Sequence, residues 1–322
     1  MDDAAAERST GVMARLDAWM ARNPWHPRVV PFAVYIVFLP VVGVTHWAAP
    51  PGSYWLHPVL YGLQCGLVCW LLWRYRRLLP ELNLRHHWLA WPVGVGVLLA
   101  WIGLGYAMAW LFPGWLGVTR TATGEPEPHV FQKMHEVSPA LMWVTLVLRL
   151  VGMSVVVPLF EELFIRSLCL RSFHRWRPTL TGLTQALADM PVVGEAVERT
   201  KWGQRGVHTE VSFAEEFERT PVGAVSAFGF AASTFVFMVH HVIRDWPGTI
   251  LCAAGYCWLL WWTNRGNLGG GGRGGSPRFE AVGFEGNGGG LRLGLGPIVW
   301  AHGITNALLW AFTLWSGDWR FL

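Results

Sequence analysis

Charge is scarce in this chain. Asp, Glu, Lys and Arg make up 14% of its 322 residues, hydrophobic residues make up 52%, and the mean hydropathy is positive. An ordinary soluble domain carries about 25% charged residues, so the composition excludes one. Cysteine is sparse as well. The five present (Cys65, Cys69, Cys169, Cys252 and Cys257) are odd in number and lie within or beside apolar runs, so no disulfide framework is indicated. Cys65 and Cys69 are one helical turn apart and read as small thiols of a membrane helix rather than a metal pair. No Gly-Lys-Ser/Thr follows the glycine-rich stretches, which argues against a phosphate-binding loop. No internal repeat is visible, which counts against a transporter built from inverted halves. The polar N-terminal residues and the lack of a small-residue cleavage site predict no cleavable signal peptide.

What the chain does have is long apolar runs, of the roughly 20 residues needed to span about 30 Å of hydrocarbon. They fall at Val29–Ala49, Trp55–Trp73, Trp88–Phe112, Ala140–Phe160 continuing to Phe173, Val222–Val242, Ile250–Thr263 and Pro297–Trp315. The expected fold is all-α: a polytopic transmembrane helical bundle of about seven spans. Residues 1–28 form a cytoplasmic N-terminal segment, 29–136 the N-terminal transmembrane helices, 137–315 a membrane core and 316–322 a tail. Two segments interrupt the core. The polar loop 174–220 carries short helical patterns in "EAVERTKW" and "FAEEFERT", and 264–296 is a glycine-rich linker. The net charge of +4 reports topology rather than a nucleic-acid surface, because Lys and Arg gather in alternate loops. Arg8, Arg15, Arg22 and Arg28 precede the first run, Arg74, Arg76, Arg77 and Arg85 follow the second, and the loop after the fourth is basic. The positive-inside rule puts the N-terminus in the cytoplasm and the C-terminus outside, in a cell inner (plasma) membrane.

Three motifs place polar groups where they are expensive. "VVPLFEELFIRSLCLRSF" keeps Glu161, Glu162 and Arg166 inside an apolar run, where ionisable groups face a partner, a cavity or a substrate. Glu162 and Arg166 are four apart and share a helix face as an ion pair. Glu161 points about 100° away and is left free for general-base work. The competing reading, two acids complementing the start of a helix opened by Pro158, weighs about the same for this stretch alone. "FVFMVHH" sets Phe237 one turn before His241, with His240 a competing candidate. "WAHGITN" puts His302 and Asn306 on one face, as two donors suited to an oxyanion or as glue between helices.

Taken in order on successive apolar segments, the three motifs resemble the CAAX-protease and bacteriocin-processing (CPBP) family of intramembrane proteases, relatives of the Ras-converting endoprotease. "RVVPF", "TPVGAVSAFGFAASTFVFMVHH", "WAHGITNALLW" and the tail "SGDWRFL" are similar to the exosortase-associated branch. The resemblance implies a CAAX-protease-like core in the last four spans and an endopeptidase acting on a membrane-associated protein or peptide. It implies that Glu161 and His241 activate water, that Glu162 and Arg166 orient the site, and that His302 and Asn306 stabilise the oxyanion. Family members have also been described as metalloproteases. No His-Glu-x-x-His helix is present, yet Glu161, His241 and His302 would supply three zinc ligands with an open water position. Ser167 stands where the family commonly has glycine. The implied partners are the lipid bilayer, the substrate and components of an exosortase system, with no nucleic acid. The alternative is a non-catalytic membrane scaffold or immunity-type protein retaining the fold; proton-coupled transport is a third reading. One geometric conflict stands: in straight antiparallel spans Glu161 and His302 lie toward the cytoplasmic ends and His241 toward the outer end. Breaks at Pro158, Pro247 and Pro297 are the expected remedy.

Overall fold

The computed structural model describes residues 11–47, 51–112, 129–176, 179–188, 190, 193–201, 204, 213–265 and 294–321. Among them every regular element is helical, and five helices are long and apolar enough to cross a membrane. They are α2 (His26–Trp47), α3 (Leu56–Arg74), α4 (Ala90–Leu111), α6 (Pro139–Ser172) and α12 (Gly296–Ser316). Of the other two expected spans, α11 (Trp246–Asn264) has the length but is too rich in Trp and polar residues to match the rest in hydropathy, and α10 (Ala227–Val239) has only 13 residues. Five short helices complete the set: α1 (Val12–Arg22), α5 (Val130–Val137), α7 (Leu180–Ala188), α8 (Val193–Glu198) and α9 (Phe213–Arg219). The last two fall on the two helical patterns of the polar loop. Most of the glycine-rich linker, 266–293, lies outside the described residues.

α6 is about 51 Å long at 1.5 Å per residue, well beyond one hydrocarbon core. It is not one regular helix. Two wide turns with i→i+5 bonding, Gly152–Val156 and Leu163–Cys169, bracket Glu161 and Glu162. Such turns inside α-helices are frequent at functional sites. The first lies just ahead of Pro158, whose missing N–H and bulky ring a regular helix would have to absorb.

The short α10 resolves the depth conflict. Its start is pinned to the end of α6: the Ser226 hydroxyl donates to His174 O at 2.7 Å and accepts from Gly229 N at 3.0 Å. From there α10 runs back along α6 for about 20 Å and ends at His240. Glu161 lies 11 residues, about 17 Å, from the same end of α6. The two therefore meet at one level, because the apolar run outlasts the helix it was expected to form. α12 arrives at that level from its own start. Leu295 N–H donates to Glu81 O at 2.9 Å, and the Glu81 carboxylate accepts from Ser167 Oγ at 2.6 Å. Ser167 is six residues past Glu161, and His302 is six residues into α12.

Glu81 centres a buried polar knot. Arg28 donates to both its oxygens (2.6 and 2.8 Å), while Arg171 reaches Ser167 Oγ, Thr220 O and Phe217 O. The Phe217 ring lies 3.8 Å from the Arg171 guanidinium and 4.7 Å from that of Arg28. Ser167 thus takes a specific part in holding the polar segment and α12 to α6. The main apolar core runs through Val68, Val97, Phe160, Leu163, Phe237, Leu260 and Ile304. Gly94 lets α4 close on α12: a Cβ there would sit 2.7 Å from Ala301 O.

Candidate active site

Three segments deliver side chains to one buried point. α6 brings Glu161 and Glu162 between its wide turns, α10 brings His240 at its end, and α12 brings His302. Glu162 Oε1 lies 2.8 Å from His302 Nδ1, and its Oε2 lies 3.5 Å from Arg166 Nε, the i,i+4 pair that the spacing predicts. Glu162 and Arg166 side chains are wholly buried. Arg166 sits over the Phe237 ring at 4.4 Å, and among the described residues its nitrogens make no hydrogen bond. Tyr256 stacks on His302 with ring centroids 5.3 Å apart and donates its hydroxyl to Thr305 Oγ1 at 2.9 Å. Glu162 is therefore the structural acid: it sets the His302 ring and pairs with the buried arginine.

Glu161 faces the other way, toward two imidazoles. Its Oε1 lies 3.4 Å from His240 Nε2 and its Oε2 lies 3.8 Å from His302 Nε2. The tautomers follow from the far side of each ring. His240 Nδ1 is 3.1 Å from Val236 O, a group that only accepts, so Nδ1 carries a proton. His302 Nδ1 against the Glu162 carboxylate carries one for the same reason. In the neutral rings both Nε2 atoms are then lone pairs directed at a carboxylate, and the buried His240 Nε2 makes no hydrogen bond among the described residues. With neutral rings three acceptors face one another here: a water molecule with two O–H groups satisfies two of them, Glu161 and His240 Nε2, and a proton taken up by His302 Nε2 turns the third into a donor.

His241, the expected partner of Glu161, lies beside this point, its ring 4.4 Å from that of His240 between centroids. Its Nδ1 is 2.8 Å from Phe237 O, and its ring meets the edge of Trp101 at a centroid distance of 6.3 Å. His240 holds the position at Glu161 because α10 stops at Val239 and the following residues leave helical register. Phe237 packs against both rings, as the four-residue spacing suggests. Asn306 directs its amide elsewhere, donating from Nδ2 to Met153 O at 2.6 Å. Sequence reasoning missed Tyr256, which only a tyrosine in an apolar run could have signalled, and Glu81, which lies outside every run.

For a metal, the expected set Glu161, His241 and His302 is not gathered, and among the described residues no group of three or more His, Cys, Asp or Glu stands ready to hold an ion. The donors that do converge, Glu161 with the Nε2 atoms of His240 and His302, are nevertheless chemically of the kind zinc takes, each ring having its Nδ1 engaged in the manner of a metal-ligating histidine.

No protein-family model, curated protein or solved structure matches the chain.

Proposed function

We propose that this chain is an intramembrane endopeptidase of the CAAX-protease and bacteriocin-processing type, hydrolysing a peptide bond in a membrane-associated protein or peptide. One observation carries the reading: the buried Glu161 carboxylate set between two imidazoles, His240 Nε2 3.4 Å from one oxygen and His302 Nε2 3.8 Å from the other. A water between them gives one hydrogen to Glu161 and the other to His240, which leaves an oxygen lone pair for a scissile carbonyl. Glu161 takes the proton as the C–O bond forms and passes it to the leaving nitrogen as the C–N bond breaks. His302 stabilises the oxyanion from Nε2 when both of its ring nitrogens are protonated, its ring held by Glu162 and Tyr256. A zinc ion on Glu161, His240 and His302 would supply a polarised water to the same geometry.

The last four apolar helices (α6, α10, α11 and α12) make up the catalytic core. The resemblance of its motifs to the exosortase-associated branch favours work beside an exosortase system in an inner membrane, the N-terminus cytoplasmic. The test compares His240→Ala with His241→Ala in purified protein reconstituted with membrane peptides, with folded yield measured in parallel and a chelator control. His240→Ala should abolish cleavage at normal yield, while His241→Ala should retain most of it. A scaffold would instead show no cleavage in any variant, with function and abundance falling together.

A further inference from the structure

The first wide turn of α6 leaves a backbone carbonyl without its donors. Within Gly152–Val156 the bonding is i→i+5, so Val157 N–H goes to Gly152 O rather than to Met153 O. The next donor that such a turn would offer Met153 O is residue 158, and Pro158 has no N–H. Met153 O has thus lost both the i+4 and the i+5 donor, in a span where no bulk water replaces them. Asn306 Nδ2 fills the gap at 2.6 Å. Because a carbonyl only accepts, the Asn306 atom facing it is the nitrogen. Next to this bond, Ser154 O, whose i+4 donor is likewise the absent Pro158 N–H, lies against Gly303; a Cβ there would stand 2.5 Å away.

We propose that Asn306 is a positioning residue: its amide replaces the backbone donor that the wide turn and Pro158 together withhold from Met153, and so fixes the register of α12 against α6. The same register carries His302, one turn before Asn306, to Glu162. Asn306 then acts through the placement of Glu161, Glu162 and His302, and the oxyanion is left to His302. The rate half of this inference rests on the endopeptidase reading; the structural half does not.

Pro158→Ala provides the test, because it restores an N–H that can serve Met153 or Ser154 and makes the Asn306 amide redundant. Asn306→Leu in the otherwise unchanged chain should lower the unfolding midpoint and reduce kcat by about 10²-fold, the typical cost of a misplacement near 1 Å, with KM little changed. In the Pro158→Ala background the same substitution should lose much less of both. Equal losses in the two backgrounds, with the midpoint unmoved, would overturn the inference and return Asn306 to the oxyanion. The coupling of unfolding midpoints needs no substrate, so it stands even if the protein proves not to be a peptidase. If Asn306→Leu alone yields no folded protein, the folded yield of Pro158→Ala/Asn306→Leu reads the same rescue: recovery supports the inference, and no recovery overturns it.

Discussion

Replacing Glu162 by Gln removes the only charge partner, among the described residues, of a guanidinium that is 1% exposed. Breaking a buried pair from one side typically costs about 3–5 kcal/mol, because the remaining charge is left uncompensated. Two features hold the cost near the lower end. The Phe237 ring stays over Arg166 at 4.4 Å, a desolvated contact worth about 2 kcal/mol that the substitution does not touch. The new amide oxygen also still accepts a hydrogen bond. We therefore expect a loss of about 3 kcal/mol. At about 2 °C per kcal/mol for a large chain, the unfolding midpoint in detergent should fall by about 6 °C. The double variant Glu162→Gln/Arg166→Met removes the stranded charge and should return to within about 1 kcal/mol of the wild type. It should still cleave poorly, since His302 Nδ1 has lost its carboxylate. Glu161→Gln should leave the midpoint nearly unchanged, because its partners among the described residues are imidazoles at 3.4 and 3.8 Å rather than a buried fixed charge. A Glu162→Gln midpoint within about 1 °C of the wild type, or no recovery in the double variant, would refute the assignment of Glu162 as the structural acid.

Glu81 lies outside the spans. Burial pushes its carboxyl up, but Arg28, Arg171 and the Ser167 hydroxyl pull it further down, so its folded pKa lies below the ordinary 4.5. The stability it contributes is therefore fully present above about pH 4.5 and is lost as pH falls through the depressed folded value; Glu81→Gln should abolish that acid-side loss in a midpoint-against-pH series. Gly303→Ala should cost about 1–3 kcal/mol and loosen α12 from α6, read as a lower midpoint together with reduced cleavage. Accessibility tags within 174–220 should report cytoplasm and a tag after Leu322 should report the outside; the reverse pattern would invert the topology.

The long apolar runs made the membrane bundle legible, since length and hydropathy alone decide that a helix can span. The end of α10 was not legible. Residues Val222–Val225 and Val242–Ile243 are as apolar as the helix between them, so hydropathy could not show that Ser226 caps its start or that it stops at Val239. That one boundary decides whether His240 or His241 meets Glu161, because the helical angle between neighbours no longer applies beyond it. The pair Glu162–Arg166 was readable from local spacing. Its third member, His302, and the bond from Asn306 to Met153 join residues 140 and 153 positions apart, and no periodicity connects them. Pro158 marked a break in α6, but not the wide turn before it. Arg28 and Glu81 were each visible as charges, and only the fold makes them partners.

The most direct measurement of the central claim is cleavage in ¹⁸O-labelled water. Purified wild-type protein and Glu161→Gln, matched for folded yield in liposomes, would be given a set of membrane-spanning and membrane-anchored peptides, and new C-termini would be read by mass spectrometry. The account predicts cleavage by the wild type with ¹⁸O in the new carboxylate, and a loss of at least about 10²–10⁴-fold in Glu161→Gln. Equal cleavage by the two proteins, or none by folded wild type across the whole set, would contradict it.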